Sequence, residues 1–353
     1  VASDRRPPAR MSPPPTPTCT SKTDPRRPVR DSALGDLALA VLVLIAAVAF
    51  HAARPLHHDC AWYLDATGRF LDGARLYTDI MEINPPLAFY LTVPAVAAAR
   101  AFGTPVIITF LAYVGLIAAG GALAFRWVLA RTPLTPGLRR AAFCGALFAL
   151  FVVPNGTFGQ REHFALALTL PYFALAALRV GGGADCGRWP AMAIGVAAAR
   201  GFCLKPHFLP VPILIEAWLM LDRKSWRTAL RPEALAMLGA GLAYALSIPL
   251  FTPDYLHRIV PIGLAIYDAG YDMPMPELIA KALPAALLLG GIISALAFRA
   301  PGARPLQTVL ALATLGFLAA YFLQHKGFAY HRLPTFGLLS LQCFVAAAVL
   351  AGP

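Results

Sequence analysis

Residues 57–87 read HHDCAWYLDATGRFLDGARLYTDIMEINPPL, a polar stretch between two apolar runs at 33–53 and 86–102. The stretch holds two adjacent histidines, a Pro-Pro pair and five carboxylates, which are Asp59, Asp65, Asp72, Asp79 and Glu82. Charged groups are costly inside a bilayer. We therefore expect this stretch to form a loop outside the membrane and to carry the chemistry of the protein.

The rest of the chain is apolar and basic. Hydrophobic residues make up 58% of the 353 residues and charged residues only 14%, and the mean hydropathy is +0.63. Soluble domains do not have this composition, so the sequence predicts an all-α polytopic membrane protein. Much of the net charge of +12 lies near the N-terminus and in short links between apolar runs. Positive-inside orientation explains that pattern, and no nucleic-acid partner is expected.

Apolar runs recur along the whole chain and predict about 10–11 transmembrane helices. The runs lie at 33–53, 86–102, 105–129, 139–154, 163–180, 189–203, 206–221, 233–251, 276–298, 306–323 and 334–352. No small-residue cleavage site follows the first run, which we expect to remain as a membrane anchor. Residues 1–32 are rich in Pro, Arg, Ser and Thr and predict a disordered basic cytoplasmic tail, and 33–353 then form a single transmembrane domain.

The arginine-rich links predict the orientation, because they should lie in the cytoplasm with the basic tail. These links are 126–140, 179–188, 222–231 and 299–304. The short run 86–102, which contains Pro94, is then re-entrant or interfacial, and the chain crosses about ten times. The alternative is that this run spans and that one arginine-rich loop breaks the rule. In the first version the loop 54–86 is periplasmic.

The same topology places the histidines together. All eight lie on or near the outer face: His51, His57, His58, His163, His207, His257, His325 and His331. The links 154–164, 201–208, 252–274 and 324–334 lie on that face too. This convergence predicts a site at the membrane–water boundary. The alternative is that histidine and tyrosine side chains simply favour interfaces.

The first outer loop contains a helical pattern. Trp62, Tyr63, Ala66 and Phe70 recur on one face, and Asp65, Gly68, Arg69 and Asp72 recur on the other. This pattern predicts a short amphipathic helix on the bilayer surface, with Asp59 at its N-cap and an ion pair between Asp65 and Arg69. Asp59 also follows the first membrane segment directly, where a carboxylate can meet both a lipid-borne and a water-borne substrate.

Several motifs of this loop occur in the order found in a known enzyme class. They are Asp59, Trp62-Tyr63-Leu64, the stretch LDGARLY at 71–77 and Asn84-Pro85-Pro86-Leu87. Their order is similar to that in the GT-C glycosyltransferases, which include protein O-mannosyltransferases, lipid A aminoarabinose transferases and rhizobial core galacturonosyltransferases. The resemblance implies a bacterial inner-membrane transferase of the cell envelope. Such an enzyme moves a sugar from a polyprenyl-phosphate donor to a periplasmic glycolipid, glycan or protein, with Asp59 as the catalytic base or acceptor-orienting group.

One motif departs from the family. Many relatives read Lys-Pro-Pro where this chain has Asn84-Pro85-Pro86, and asparagine can hydrogen-bond the carrier phosphate but brings no charge. Positive charge is available in three outward links, from Arg161 with His163, from Lys205 with His207, and from Lys326 with His331 and Arg332. Each cluster is a candidate phosphate site, and the alternative for each is a boundary charge. Glu162 is the second catalytic candidate, since the family carries an acidic second loop.

The expected reaction is a single displacement that inverts the anomeric centre. Asp59 takes or orients the proton of the acceptor hydroxyl, and the cations stabilise charge on the departing phosphate. No cofactor is required by this scheme. A divalent metal held by Asp59, Glu162 and histidines stays open, because the histidines have no fixed ligand spacing. The six cysteines lack CxxC spacing and indicate neither disulfides nor a zinc site.

Two alternatives from other classes remain. One is a non-catalytic transporter, flippase or polyprenyl-lipid binder, which would be expected to show paired broken helices in two repeated halves. The sequence shows no clear repeat, although GFCLKP at 201–206 is one such break. The other is an O-antigen ligase or polymerase, for which a large basic outer loop is expected. The long link 252–274 instead contains three aspartates and only Arg258.

Overall fold

The computed structural model describes residues 27–268, 272–297 and 301–351, and the regular structure within these ranges is helical. The α-helices, in chain order, are α1 (Arg27–Ala52), α2 (His58–Leu71), α3 (Pro86–Tyr90), α4 (Val93–Phe102), α5 (Val106–Leu129), α6 (Pro136–Phe151), α7 (Arg161–Gly181), α8 (Arg188–Phe202), α9 (Pro210–Asp222), α10 (Pro232–Phe251), α11 (Val260–Asp268), α12 (Met275–Ala297), α13 (Arg304–Leu323) and α14 (Leu333–Ala351). The first helix includes residues 27–32 of the predicted tail. The rest of that tail, 1–26, lies outside the described residues.

Among the described residues, six helices are long and apolar enough to cross a membrane. They are Ala33–Ala52, Val106–Leu129, Arg161–Gly181, Pro232–Phe251, Arg304–Leu323 and Ala329–Ala351. These helices confirm the prediction of an all-helical, multi-pass type of protein. The shorter helices α6, α8 and α9 pack in the same bundle, where α6 lies against α5 and α14, α8 against α7 and α10, and α9 against α13.

Helix α7 forms the centre of the bundle. It packs against α5, α8, α13 and α14. Of its most apolar stretch, 78% is buried inside the protein, against 11% for α1 and 6% for α10. A helix that is apolar on all sides is expected at such a central position. Its first turn carries Arg161, Glu162 and His163. The charged start of the most buried helix is thereby placed at one end of the bundle.

The first outer loop contains the predicted amphipathic helix. Helix α2 buries one side, which comprises Cys60, Tyr63, Leu64, Ala66 and Thr67. The predicted N-cap is wrong, because His57 precedes the helix and its Nδ1 accepts a hydrogen bond from the Asp59 amide at 3.3 Å. After the C-terminal end comes Gly73 with φ +100°, in the left-handed region that favours glycine.

The charged face of α2 is used differently from the prediction. Arg69 donates to the Asp79 carbonyl at 2.8 Å, so its guanidinium contacts the following turn rather than Asp65. Asp72 pairs with Arg100 of α4 at 2.8 Å. The helix is therefore held against α4 by an ion pair between distant residues, which helical spacing alone does not predict.

The run 86–102 consists of two short helices. Helices α3 and α4 have 5 and 10 residues and are separated by Leu91 and Thr92. Each is much shorter than the roughly 20 residues that a perpendicular span requires. The break divides the run, and its re-entrant or interfacial position stays a prediction.

The turn between α2 and α3 folds the loop back over the bundle. Tyr77 has φ +71°, and its amide donates to the Ile80 carbonyl at 2.8 Å. A left-handed backbone is uncommon for a bulky residue and has to be held by its surroundings. Here the Tyr77 side chain is fully buried, its ring packs on Tyr255, and its hydroxyl donates to the Asn84 carbonyl at 2.8 Å. These contacts set the position of residues 82–85.

Candidate functional site

One cavity of about 710 Å³ brings together most of the residues that the sequence singles out. The predicted site residues on its lining are Asp59, Asn84, Arg161, Lys205, His207, Lys326 and His331. They come from the first outer loop, the start of α7, the α8–α9 link and the α13–α14 link. Glu162 lies directly behind this lining, and His163 and Arg332 lie away from it.

The floor of the cavity is a buried ion pair. Lys205 Nζ donates to Glu162 Oε1 at 2.5 Å and to Gln324 Oε1 at 2.7 Å. Burial lowers the pKa of Lys205 to about 7, although Glu162 opposes this shift. Glu162 is itself fully buried, and its Oε2 has no hydrogen-bond partner among the described residues. This carboxylate therefore contacts the lysine rather than the cavity space.

One wall is formed by a chain of hydrogen-bonded side chains that ends at the Arg161 guanidinium. Arg161 donates to the side-chain oxygen of Asn84. Asn84 in turn donates to Glu82 Oε1 through its backbone amide at 2.8 Å and its side-chain amide at 2.5 Å, and the Trp62 indole donates to Glu82 Oε2 at 2.6 Å. Asn84 thus holds the Arg161 guanidinium at this wall of the cavity.

The other wall carries Asp59. Its Oδ2 accepts a hydrogen bond from the Gln160 side-chain amide at 3.2 Å, and its Oδ1 lies 3.0 Å from His58 Nε2. The Asp59 side chain keeps 25% of its surface exposed, whereas Glu162 has none. Of the two predicted catalytic carboxylates, only Asp59 can reach a ligand in the cavity directly.

A metal ion could be held beside Asp59 by neighbouring residues. The ligand atoms of His57, His58 and Asp59 lie within 4.8 Å of one another. However, His57 Nδ1 already accepts from the Asp59 amide and lies 2.5 Å from the Gln160 amide nitrogen. The buried Glu162 pairs with Lys205, so the predicted set of Asp59, Glu162 and histidines is not assembled around one point.

Two further cavity residues have pKa values shifted by their surroundings. Burial, together with Lys205 and Lys326, lowers the pKa of His207 to about 4. Burial and Arg161 lower the pKa of Lys326 to about 8, against the opposing effect of Asp272. At neutral pH His207 is therefore a neutral hydrogen-bonding group, whereas Lys326 still carries most of its charge.

Two predicted ligands do not reach the cavity. His163 is buried, its Nδ1 accepts from the Gly159 amide at 3.1 Å, and its ring packs on Phe158 at 4.6 Å between centroids. Arg332 donates to the Lys281 carbonyl at 2.7 Å. In the described structure these side chains serve packing and loop attachment.

The cavity also contains residues that the sequence analysis did not name as catalytic or ligand-binding candidates. They are Trp62, Glu82, Gln324 and Tyr330, with Gln160 just behind. Tyr330 contacts both Lys205 and His57. Lys205 Nζ lies 5.4 Å from the Tyr330 ring centroid, and the His57 ring packs edge-on against the same ring, with 5.7 Å between centroids. Glu82 could have been recognised from the sequence as a site residue, because it lies two positions before the Asn-Pro-Pro motif in the same polar loop.

Comparison with known proteins does not extend these observations. No protein family, curated protein or solved structure matches the chain.

Proposed function

We propose that the chain is a membrane glycosyltransferase that transfers a sugar, with inversion, from a polyprenyl-phosphate donor to an acceptor on the outer face of the membrane. The observation that carries the proposal is the single cavity that contains Asp59 together with Arg161, Lys205 and Lys326. A partly exposed carboxylate and several cations in one cavity are the groups that such a displacement needs.

The cations are the proposed phosphate site. Arg161 is oriented by Asn84, and arginine suits bidentate contact with phosphate oxygens. Lys205, with a pKa near 7, becomes more strongly protonated when an anion binds beside it. As the bond to the sugar breaks, the phosphate gains negative charge, and these groups stabilise it. Glu162 acts through Lys205, which it positions at the cavity floor.

Asp59 is the proposed acceptor group. Gln160 and His58 hold its two oxygens, and the remaining exposed surface faces the cavity. The carboxylate takes or orients the proton of the acceptor hydroxyl, which then attacks the anomeric carbon. The bond to the donor phosphate oxygen breaks, and the polyprenyl phosphate leaves with both electrons.

The apolar part of the lining supports a lipid-borne donor. Met81, Ile83, Ile266 and Leu323 line the same cavity as the cations, so one ligand with a charged head and an apolar tail matches both kinds of surface. In the proposed topology α6, α8, α9 and α12 cross the membrane beside the six long apolar helices. The chain then crosses ten times, with its N-terminus in the cytoplasm of a bacterial cell and the cavity at the periplasmic face of the inner membrane.

The test is sugar release from labelled polyprenyl-phosphate donors by the purified protein in nanodiscs, with an envelope extract as acceptor. Wild type should transfer label, and Asp59→Asn should lose at least about a hundredfold in rate, as expected for removal of a general base. Asp65→Asn is the matched control, because Asp65 lies exposed on the same helix away from the cavity lining. Full activity in Asp59→Asn would contradict the mechanism, and tight donor binding without release would indicate a non-catalytic lipid-handling protein.

A further inference from the structure

A second cavity, of about 250 Å³, lies on the far side of His57 from the donor site. It is framed by the end of α1 and the residues after it, by Leu111 of α5, and by the turn at 155–158. None of the groups assigned to the donor lines it. The His57 ring is part of its wall, and the same ring contacts Gln160, which donates to Asp59.

The charge of this second cavity is positive. Arg54 is on its lining, and none of the described residues that line it is a carboxylate. The Arg54 guanidinium is held in place, because it donates to Asn155 Oδ1 at 2.7 Å and stacks over the Phe50 ring at 4.7 Å. A guanidinium has five N–H donors, and this described hydrogen bond uses one of them.

The polar groups around Arg54 show features of a preformed binding site. Asn155 has φ +39°, a left-handed conformation that costs free energy in a residue other than glycine. His51 also lines the cavity, is 8% exposed, and has a buried Nε2 for which the described residues provide no hydrogen-bond partner. An unpaired buried polar atom beside a fixed cation is expected where a ligand completes the hydrogen bonds.

We propose that this second cavity is an oxyanion site that binds the acidic group of the acceptor, a phosphate or a carboxylate. The assignment to the acceptor rests on the proposed transferase function. A group held by Arg54 on one side of His57 lets the rest of the acceptor pass this ring and present a hydroxyl to Asp59 on the other. The donor phosphate and the acceptor anion are thereby bound by different cations.

The acidic group can belong to a membrane lipid or to a soluble glycan. The Phe50 ring beneath Arg54 is 52% exposed, which places an apolar surface beside the cation. The experiment separates the two sources by dividing an envelope extract into acidic lipid, acidic water-soluble and neutral fractions, and by offering each fraction as acceptor to the purified protein with a labelled polyprenyl-phosphate sugar.

Wild type should label an acidic fraction and not the neutral one, and the labelled phase identifies the source. Arg54→Gln should raise the apparent KM for that fraction about tenfold, the effect of losing one charge-assisted contact. Hydrolysis of the donor without acceptor, and the KM for the donor, should not change. Arg54→Lys should recover part of the loss, and Arg75→Gln, an exposed arginine of the same outer loop, should behave as wild type.

An unchanged acceptor KM in Arg54→Gln, or equal labelling of the neutral fraction, would overturn the inference while leaving the transferase function intact. Absence of both transfer and donor hydrolysis in wild type would contradict the proposed function and with it the acceptor assignment. Binding of phosphatidylglycerol and of glycerol phosphate, measured by native mass spectrometry, then tests the anion site itself. Retention that is equal in wild type and Arg54→Gln would reject it.

Discussion

The Arg161 guanidinium donates a hydrogen bond to the Asn84 side-chain oxygen, which joins the start of the central helix to the end of the first outer loop. Glu82 fixes the other end of the Asn84 amide. The described structure provides no partner for Arg161 Nε, although this atom is buried. Asn84 thus orients the arginine, which lines the cavity where the donor phosphate is proposed to bind.

Substitution of Asn84 tests this orientation. In Asn84→Ala the guanidinium loses its acceptor, and we expect the KM for the polyprenyl-phosphate donor to rise about tenfold. The turnover number should fall as well, because Arg161 is also proposed to stabilise the charge that develops on the departing phosphate. Steady-state kinetics over a range of donor concentrations measures both. A fall in turnover at constant KM would contradict a role in ground-state phosphate binding.

The buried pair of Lys205 and Glu162 predicts a pattern of stability changes. Lys205→Met leaves the Glu162 carboxylate buried without its cation, and removal of one partner of a buried pair costs about 3–5 kcal/mol of unfolding free energy. The double variant Lys205→Met/Glu162→Gln should recover most of this loss, because no uncompensated charge remains. Thermal unfolding in detergent compares the variants. Equal stability of the single and double variants would show that the pair is not energetically coupled.

The sequence predicts the chemical character of the site better than its contacts. The polar outer loop and the charged links could be recognised because charges are costly in lipid and must converge where water reaches them. The pairing within the site depends on how α7, α8 and α13 pack, and no local pattern encodes that packing. The resemblance makes Glu162 a catalytic candidate, whereas in the structure its side chain is buried against Lys205, which no local pattern predicts.

Local rules also failed where a distant residue offered a better partner. The spacing of Asp65 and Arg69 predicts an ion pair, but Arg69 reaches the Asp79 carbonyl because the turn at Tyr77 brings that carbonyl close. Capping preference favours Asp59 over His57, since aspartate is a common N-cap. His57 nevertheless takes the cap, and the Asp59 side chain is left to face the cavity.

Lys326 and Arg332, both in the link between α13 and α14, provide a test variant and its matched control. Lys326 lines the cavity proposed to bind the donor, whereas Arg332 donates to the Lys281 carbonyl outside it. We expect Lys326→Gln to raise the donor KM several-fold, up to about tenfold, through loss of a phosphate contact. Arg332→Gln should leave the donor KM within about twofold of wild type, since Arg332 does not line this cavity. The opposite order in donor kinetics would place the phosphate elsewhere.

The lowered pKa of Lys205 predicts that donor binding depends on pH. Its pKa of about 7 lies below the usual 10.5 because burial disfavours the charge. The donor is a phosphodiester that stays singly charged near neutral pH, so loss of the Lys205 proton removes attraction without changing the ligand. The donor KM should therefore increase by about tenfold between pH 6 and pH 8.

The pKa of Lys205 also determines whether the unfolding free energy rises or falls with pH. Between about pH 7 and pH 10.5 the unfolded chain binds the Lys205 proton and the folded protein does not, so the unfolding free energy should rise with pH across this window. Lys205→Arg keeps its charge throughout and should remove both trends, whereas Lys326→Arg controls for the second lysine, with a pKa of about 8. A donor KM that rises with pH equally in Lys205→Arg would assign the titration to another group.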